Sequence, residues 1–168
     1  LWEDMMTNIR ILNQNDLDHY TQLLFSNTHT YSWDKAYLEN LSNDDLKQML
    51  SDEDEFCNII GAFKDDKLVA CVTLRQLKQV GSSHKAMIEN LFLLDKKDES
   101  TILNLMQFAI DHAKSRNIEK LMTCVTSNNI SGKIFFSSIG FETLGLESKS
   151  SKIGDEYFDV HWLLYDIV

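Results

Sequence analysis

The sequence predicts an α/β (α+β) fold in one domain: a central mixed, mostly antiparallel β-sheet with helices on both faces. Three observations carry that expectation. Strand-like apolar runs and segments with helical apolar spacing interleave along the chain, which is the pattern of a sheet covered by helices. With 168 residues, 43% of them apolar, there is enough material for one core. No low-complexity linker or internal repeat divides the chain.

The patterned sequence starts at about Thr7, so residues 1–7 read as a leader or appended segment and 8–168 as the domain. "NIRIL" is a short strand. Asn15 or Asp16 then caps a helix that places Leu17, Tyr20 and Leu24 on one face. A second helical region covers about 33 to 50. Within it, Ser42 with Asp45 three residues later resembles a capping box with Asp in the Glu role. "SDEDEF" is a charged loop. "FCNIIGAF", "KDDK" and "LVACVTLRQL" form a hairpin with the four polar residues as its turn. "VGSS" breaks the chain before a third long strand, "HKAMIENLFLL". The next helix, about 100 to 116, stacks Ile102, Met106, Ala109 and Ala113 into a core-facing stripe. "EKLMTCV" is a strand, "NNISGKIFFSSIGF" a short helix ending at a glycine, and "YFDVHWLLYDIV" a closing strand. Proline is absent, so boundaries rest on Gly, Asn, Asp and Ser.

Composition excludes several functions. A formal charge of −10 argues against nucleic acid or an anionic membrane as partner, since both need a basic face. No apolar run has the length of a membrane-crossing helix, and no cationic-then-apolar signal pattern opens the chain. Cys57, Cys71 and Cys124 stand singly in apolar stretches, the pattern of free thiols in a reducing cytoplasm. The five histidines are scattered, so no metal site is expected. The signatures G-x-S-x-G, G-x-x-x-x-G-K-S/T and H-E-x-x-H do not occur. The acidic run at 52–55 reads as solvated loop, with attraction of a cationic substrate as the functional alternative.

"IENLFL", a following helix, "LMTCV" and "SNNISGKIFFSSIGF" together resemble the core of the GNAT superfamily of acetyl-CoA-dependent N-acetyltransferases. Ile88, Glu89 and Asn90 match that family's I-E-N strand. Asn129, Phe135, Gly140 and Phe141 match its N-x-x-A-x-x-F-Y-x-x-x-G-F segment. The order of elements agrees from about residue 8 to 167. The resemblance implies acetyl transfer from acetyl-CoA to a primary amine of a small molecule, peptide or protein; the exclusion of nucleic acid and membrane rests on the charge above. A homodimer is left open.

The resemblance also assigns residues. A backbone N–H on the strand through Leu91, Phe92 and Leu93 would polarise the thioester carbonyl. Loop and first-turn positions Asp98, Glu99, Ser100, Thr101, Ile102 and Leu103 would meet the diphosphate of CoA, and Asn129 and Phe136 would close the cofactor site. Glu89 would take the amine proton; as a bare sequence feature it is equally an ordinary strand carboxylate. Tyr31 and Trp33 would wall the acceptor site, or simply pack. Several positions depart from the family. Its loop Arg falls on Asp98, its glycines on Glu99, Thr101 and Leu103, and its thiolate-protonating Tyr on Phe136. A diphosphate at a helix N-terminus is favoured by the dipole and opposed by nearby carboxylates. Asp98, Glu99 and Ser100 are also good capping and first-turn residues. A GNAT-fold binding or regulatory module that has lost acetyl-CoA is therefore the alternative function.

Overall fold

The structure, a computed structural model, describes residues 7–26, 29–30 and 38–168. The expected architecture is present. Strand β1 (Asn8–Ile11) leads through a 3-10 turn at Gln14–Asp16 into α1 (Leu17–Phe25). Then come β2 (His29–Thr30) and α2 (Asn43–Met49). The hairpin β3 (Cys57–Lys64) and β4 (Lys67–Gln76) follows, then β5 (Lys85–Leu93), α3 (Glu99–Ser115) and β6 (Lys120–Thr126). The chain ends with α4 (Ile130–Ser138) and a long hairpin of β7 (Glu142–Ile153) and β8 (Glu156–Asp166). The strand order is β1-β3-β4-β5-β6-β8-β7, with β2 pairing β5. Every pairing is antiparallel except β5 with β6.

Local chemistry explains most boundaries and corrects some. Asp16 stands at the N-cap of α1 as expected but makes no side-chain cap bond there, while Asn13 caps the preceding 3-10 turn, its side chain accepting from the Asn15 N–H at 2.9 Å. Asp16 turns back instead, accepting from the Asn13 N–H at 2.9 Å and from the Arg10 guanidinium at 2.6 and 2.7 Å. The Ser42–Asp45 capping box is formed as expected. The hairpin turn is tighter than "KDDK" implies. Lys64 and Lys67 pair as strand residues, leaving Asp65 and Asp66 as a two-residue turn with φ of 48° and 60°. Asp tolerates that left-handed backbone better than most side chains. Helix α4 ends where Gly140 takes φ 108°, and the Phe141 N–H reaches back to the Phe136 carbonyl at 3.0 Å.

Sequence periodicity misses β7 altogether. Its residues "ETLGLESKSSKI" are mostly exposed, so no buried face imposes alternation, and pairing with β8 alone holds them extended. Of the second helical region, 43–49 is helical as α2, while 33–37 lies outside the described residues.

Two cores lie on opposite sheet faces. One packs Ile102, Met106, Ala109 and Ala113 of α3, with Phe136 of α4, against β4, β5 and β6. The other packs Tyr20, Leu23 and Leu24 of α1 and Leu46 of α2 against Ile59, Cys71 and Phe92. Among the described residues, no helix is long and apolar enough to cross a membrane.

One irregularity in the sheet positions the site. Between the pairs Thr73↔Glu89 and Cys71↔Phe92, two residues of β5, Asn90 and Leu91, oppose the single Val72. This is a β-bulge, and Asn90 sits in it with φ 51°. On the other edge, β5 pairs with β6 only over Lys85–Met87. Beyond that point a bulged β5 bends away and the two strands part.

Candidate active site

Where β5 and β6 separate, they leave a cleft of about 690 Å³. Strand β2 resumes pairing with β5 only at Phe92 and Leu93, so the edge from Ile88 to Leu91 meets no strand among the described residues. The Thr123 hydroxyl of β6 donates to the Ile88 carbonyl at 2.9 Å, at the apex of the opening. Glu89, Asn90 and Leu91 line the cleft, as does Phe136 from the opposite wall.

Glu89 is not alone there. Arg75 of β4 lies diagonally across from it and donates from Nη2 to Glu89 Oε1 at 2.6 Å, with Nε 3.3 and 3.2 Å from the two oxygens. Hydrogen bonding to Glu89 outweighs burial and raises the Arg75 guanidinium above its ordinary value. Both groups face the cleft and are partly exposed, at 45% for Arg75 and 27% for Glu89. The remaining walls are largely apolar: Leu38, Met49 of α2, Leu77, Met87 and the Trp162 ring.

The other sequence-expected residues divide into two groups. Leu91 faces the cleft, whereas Phe92 and Leu93 pair with strands on both sides and are fully buried. Leu93, Asp98, Thr101 and Ile102 gather with Lys64 around a separate cavity of about 200 Å³. Asp98 is the N-cap of α3: its carboxylate accepts from the Thr101 hydroxyl at 2.8 Å and forms an ion pair with Lys64. Burial pushes the Asp98 carboxyl up, but bonds from Lys64 and Thr101 together hold it below the usual carboxylate range. Thr101 and Ile102 point into the core, while Glu99, Ser100 and Leu103 are exposed.

The first turn of α3 is partly self-satisfied. The Glu99 N–H donates to the Lys97 carbonyl at 2.9 Å and the Thr101 N–H to Asp98 at 3.4 Å. The Ser100 N–H is left as the open donor there among the described residues. Asn129 caps α4, accepting from the Gly132 N–H at 3.0 Å. Phe136 is buried edge-to-face against Phe135 and Phe141, at centroid distances of 5.3 and 5.2 Å. Tyr31 and Trp33 lie outside the described residues.

Sequence reasoning missed Arg75 and Thr123, and matched Asn90 to the family strand without giving it a role. A signal existed for two of them. Arg75 is a lone charge at the end of the apolar "LVACVTL" run, and Asn90 is a strand-poor residue inside an apolar strand. Thr123 carries no mark, because a buried Thr in a strand is common.

A family model described as Acetyltransferase (GNAT) domain matches residues 9–162. Among solved structures, a probable acetyltransferase from Staphylococcus epidermidis ATCC 12228 is 53% identical, with a TM-score of 0.89 over 96% of this chain and 99% of that one. An N-acetyltransferase from Staphylococcus aureus Mu50 is 30% identical, with a TM-score of 0.76 over 96% and 98%. A ribosomal-protein-alanine N-acetyltransferase from Brucella melitensis shares the fold at 15% identity, with a TM-score of 0.77 over 95% and 99%. No curated protein matches the chain.

Proposed function

The chain belongs to the GNAT acetyltransferase family, and from that premise we propose that it transfers an acetyl group from acetyl-CoA to a primary amine, with the cleft between β5 and β6 as the site of transfer. One observation carries the reading: among the described residues no strand pairs with the edge of the bulged strand from Ile88 to Leu91, and a carboxylate, Glu89, stands beside that edge.

The residues present fit acetyl-CoA. The parted strands leave a cleft open along the β5 edge, and Phe136 walls it. The diphosphate would meet the N-terminus of α3, where the Ser100 N–H is open and the helix dipole favours an anion. Lys64 balances the charge of Asp98 there, and Lys96 and Lys97 adjoin the turn. Bound acetyl-CoA would supply an acyl carbon activated as a thioester and a thiolate leaving group, far less basic than an alkoxide, that can depart without a proton donor.

The protein's own groups supply the rest. A backbone donor on the open β5 edge stabilises negative charge developing on the carbonyl oxygen, and no side-chain substitution other than proline removes it. Glu89 takes the proton that the amine loses as the C–N bond forms. Arg75 occupies part of its lone pairs, so the proton arrives through a bridging water or after the Arg75 fork turns aside. Phe136 excludes water with its ring and supplies no proton.

The decisive experiment is acetyl-CoA binding followed by turnover. Acetyl-CoA should raise the melting temperature by mass action and should release thiol when a suitable amine is present. No shift at millimolar acetyl-CoA would overturn the transferase reading and leave a non-catalytic GNAT-fold module.

A further inference from the structure

The cleft has an unusual charge inventory. Although the chain carries a formal charge of −10, the charged groups lining the cleft among the described residues are one cation and one anion, Arg75 and Glu89, already in contact at 2.6 Å. The other described lining residues are apolar or neutral. A polyamine or aminoglycoside carries several positive charges and calls for several carboxylates. Among the described residues this site offers one, and that one is already paired.

The Arg75–Glu89 geometry leaves each partner half used. Nε and Nη2 of Arg75 face Glu89, and Nη1 has no acceptor among the described residues. A guanidinium has a second edge, formed by its two terminal nitrogens, that takes a carboxylate in a two-pronged bond. Glu89 in turn has lone pairs beyond those facing Arg75. The open edge of Arg75 and the free lone pairs of Glu89 are therefore neighbours in one cleft.

We propose that the acceptor is a free α-amino acid with an apolar side chain, its carboxylate held by the outer edge of Arg75, its amine by Glu89, and its side chain among Met49, Met87, Leu77 and Trp162. The assignment rests on the acetyl-transfer reading above and names the substrate class for that same site. The charge pair sets the spacing. Because Arg75 and Glu89 touch, the site calls for an amine and a carboxylate held close together, as on the single carbon of an α-amino acid, and not at the two ends of a long chain. The apolar wall sets the side chain, since the Met thioethers and the Trp162 ring bury flexible or aromatic groups without charge. Arg75 is thus a binding residue, and Glu89 serves both to dock the ammonium and to accept its proton once that proton is released.

Three amines with one apolar body separate the contributions: L-methionine, L-methioninamide and 3-(methylthio)propylamine, with spermidine as the polycation. Thiol release should show KM for methionine at least about tenfold below that for its amide or the simple amine. That preference would run against intrinsic reactivity, because the amide's amine is the more readily neutral. Arg75→Gln should bring the three KM values within about twofold of one another, and Arg75→Lys should restore part of the discrimination, since a lysine keeps the charge but not the fork.

If Arg75 only held Glu89 in place, Arg75→Gln would lower kcat for all three alike and leave the KM ratio intact, which would overturn the proposal. Equal KM values for acid and amide in the unaltered protein, or a preference for spermidine, would do the same. Calorimetry of methionine against methioninamide, without acetyl-CoA, keeps the two readings apart. Selective methionine binding supports the site even if no thiol is released and the transfer reading fails. Equal or absent binding of both ligands overturns the site even if some other amine is acetylated.

Discussion

Replacing Asp98 should loosen the fold and tighten the cofactor at once. The Asp98 carboxylate caps α3, pairs with Lys64 and sits at the positive end of the helix. Losing a side-chain cap costs about 1 kcal/mol. The ion pair, with about three-quarters of each side chain buried, adds up to about 1 kcal/mol, and the dipole a few tenths. Asp98→Ala should therefore cost about 2 kcal/mol, or about 4–8 °C in melting temperature for a domain of this size. Asp98→Asn keeps a capping oxygen, so it should cost about half as much. The sign with pH follows from linkage. The native carboxyl lies below its unfolded value, so its contribution is fully present above about pH 4 and is lost as pH falls through the depressed native value. The gap between Asp98→Asn and the unaltered protein should shrink in that acid range. Acetyl-CoA affinity should move the other way. An unpaired charge about 7 Å from a phosphate, at an effective dielectric constant of about 40, is worth about 1 kcal/mol, or several-fold in Kd. Freeing Lys64 by Asp98→Asn supplies such a charge. The assays are thermal melts from pH 3 to 8 and calorimetry with acetyl-CoA. Melting within 1 °C of the unaltered protein for both variants at about pH 7 would refute the capping argument. An unchanged Kd would mean that the diphosphate does not meet this helix end.

Two further outcomes test the cleft itself. Glu89→Gln should lower kcat by about 10² or more with acetyl-CoA affinity nearly intact, and should remove the acidic limb of the pH–rate profile; a loss below about threefold with that limb retained would make Glu89 a docking residue alone. Asn90→Gly should leave stability within about 0.5 kcal/mol, whereas Asn90→Val forces a β-branched residue into φ 51° and should cost about 1–2 kcal/mol. If the valine variant melts normally and still binds acetyl-CoA, the bulge is not what holds the cleft open.

The parts of the fold legible in the sequence are those where burial imposes a period. Helix α3 is an example: Ile102, Met106, Ala109 and Ala113 are each at most 3% exposed, so spacing alone reveals both the helix and its inner face. Strand β7 is the opposite case, with exposed side chains on most positions and nothing to enforce alternation. The candidate site was half legible for a related reason. Glu89 is visible as a charge in an apolar strand, but its partner Arg75 lies 14 positions earlier. Only the antiparallel register of β4 and β5 brings the two together. Asp98 was open to two readings because a first-turn carboxylate can serve the helix or oppose a phosphate. The contact that settles its immediate role comes from Lys64, at the end of β3, 34 positions away.

The placement of these groups separates two properties that a transferase must set independently. On the proposed reading Arg75 and Glu89 bind the acceptor from adjacent paired strands, the placement that a site needing fixed geometry requires. The donor's diphosphate would be met at the end of α3, where the same Asp98 that stabilises the helix also sets the local charge. Arg75 and Glu89 lie on β4 and β5, and among the described residues Asp98 shares no hydrogen-bond partner with either of them. Substitutions at the two places should then act additively, as distant sites without common contacts do. A change at Asp98 or Lys64 would shift acetyl-CoA affinity and leave the choice of amine alone, and a change at Arg75 would do the reverse. The acidic cap therefore poses no contradiction to the family's chemistry. On the proposed reading it would trade some donor affinity for helix stability, at a position remote from the choice of amine.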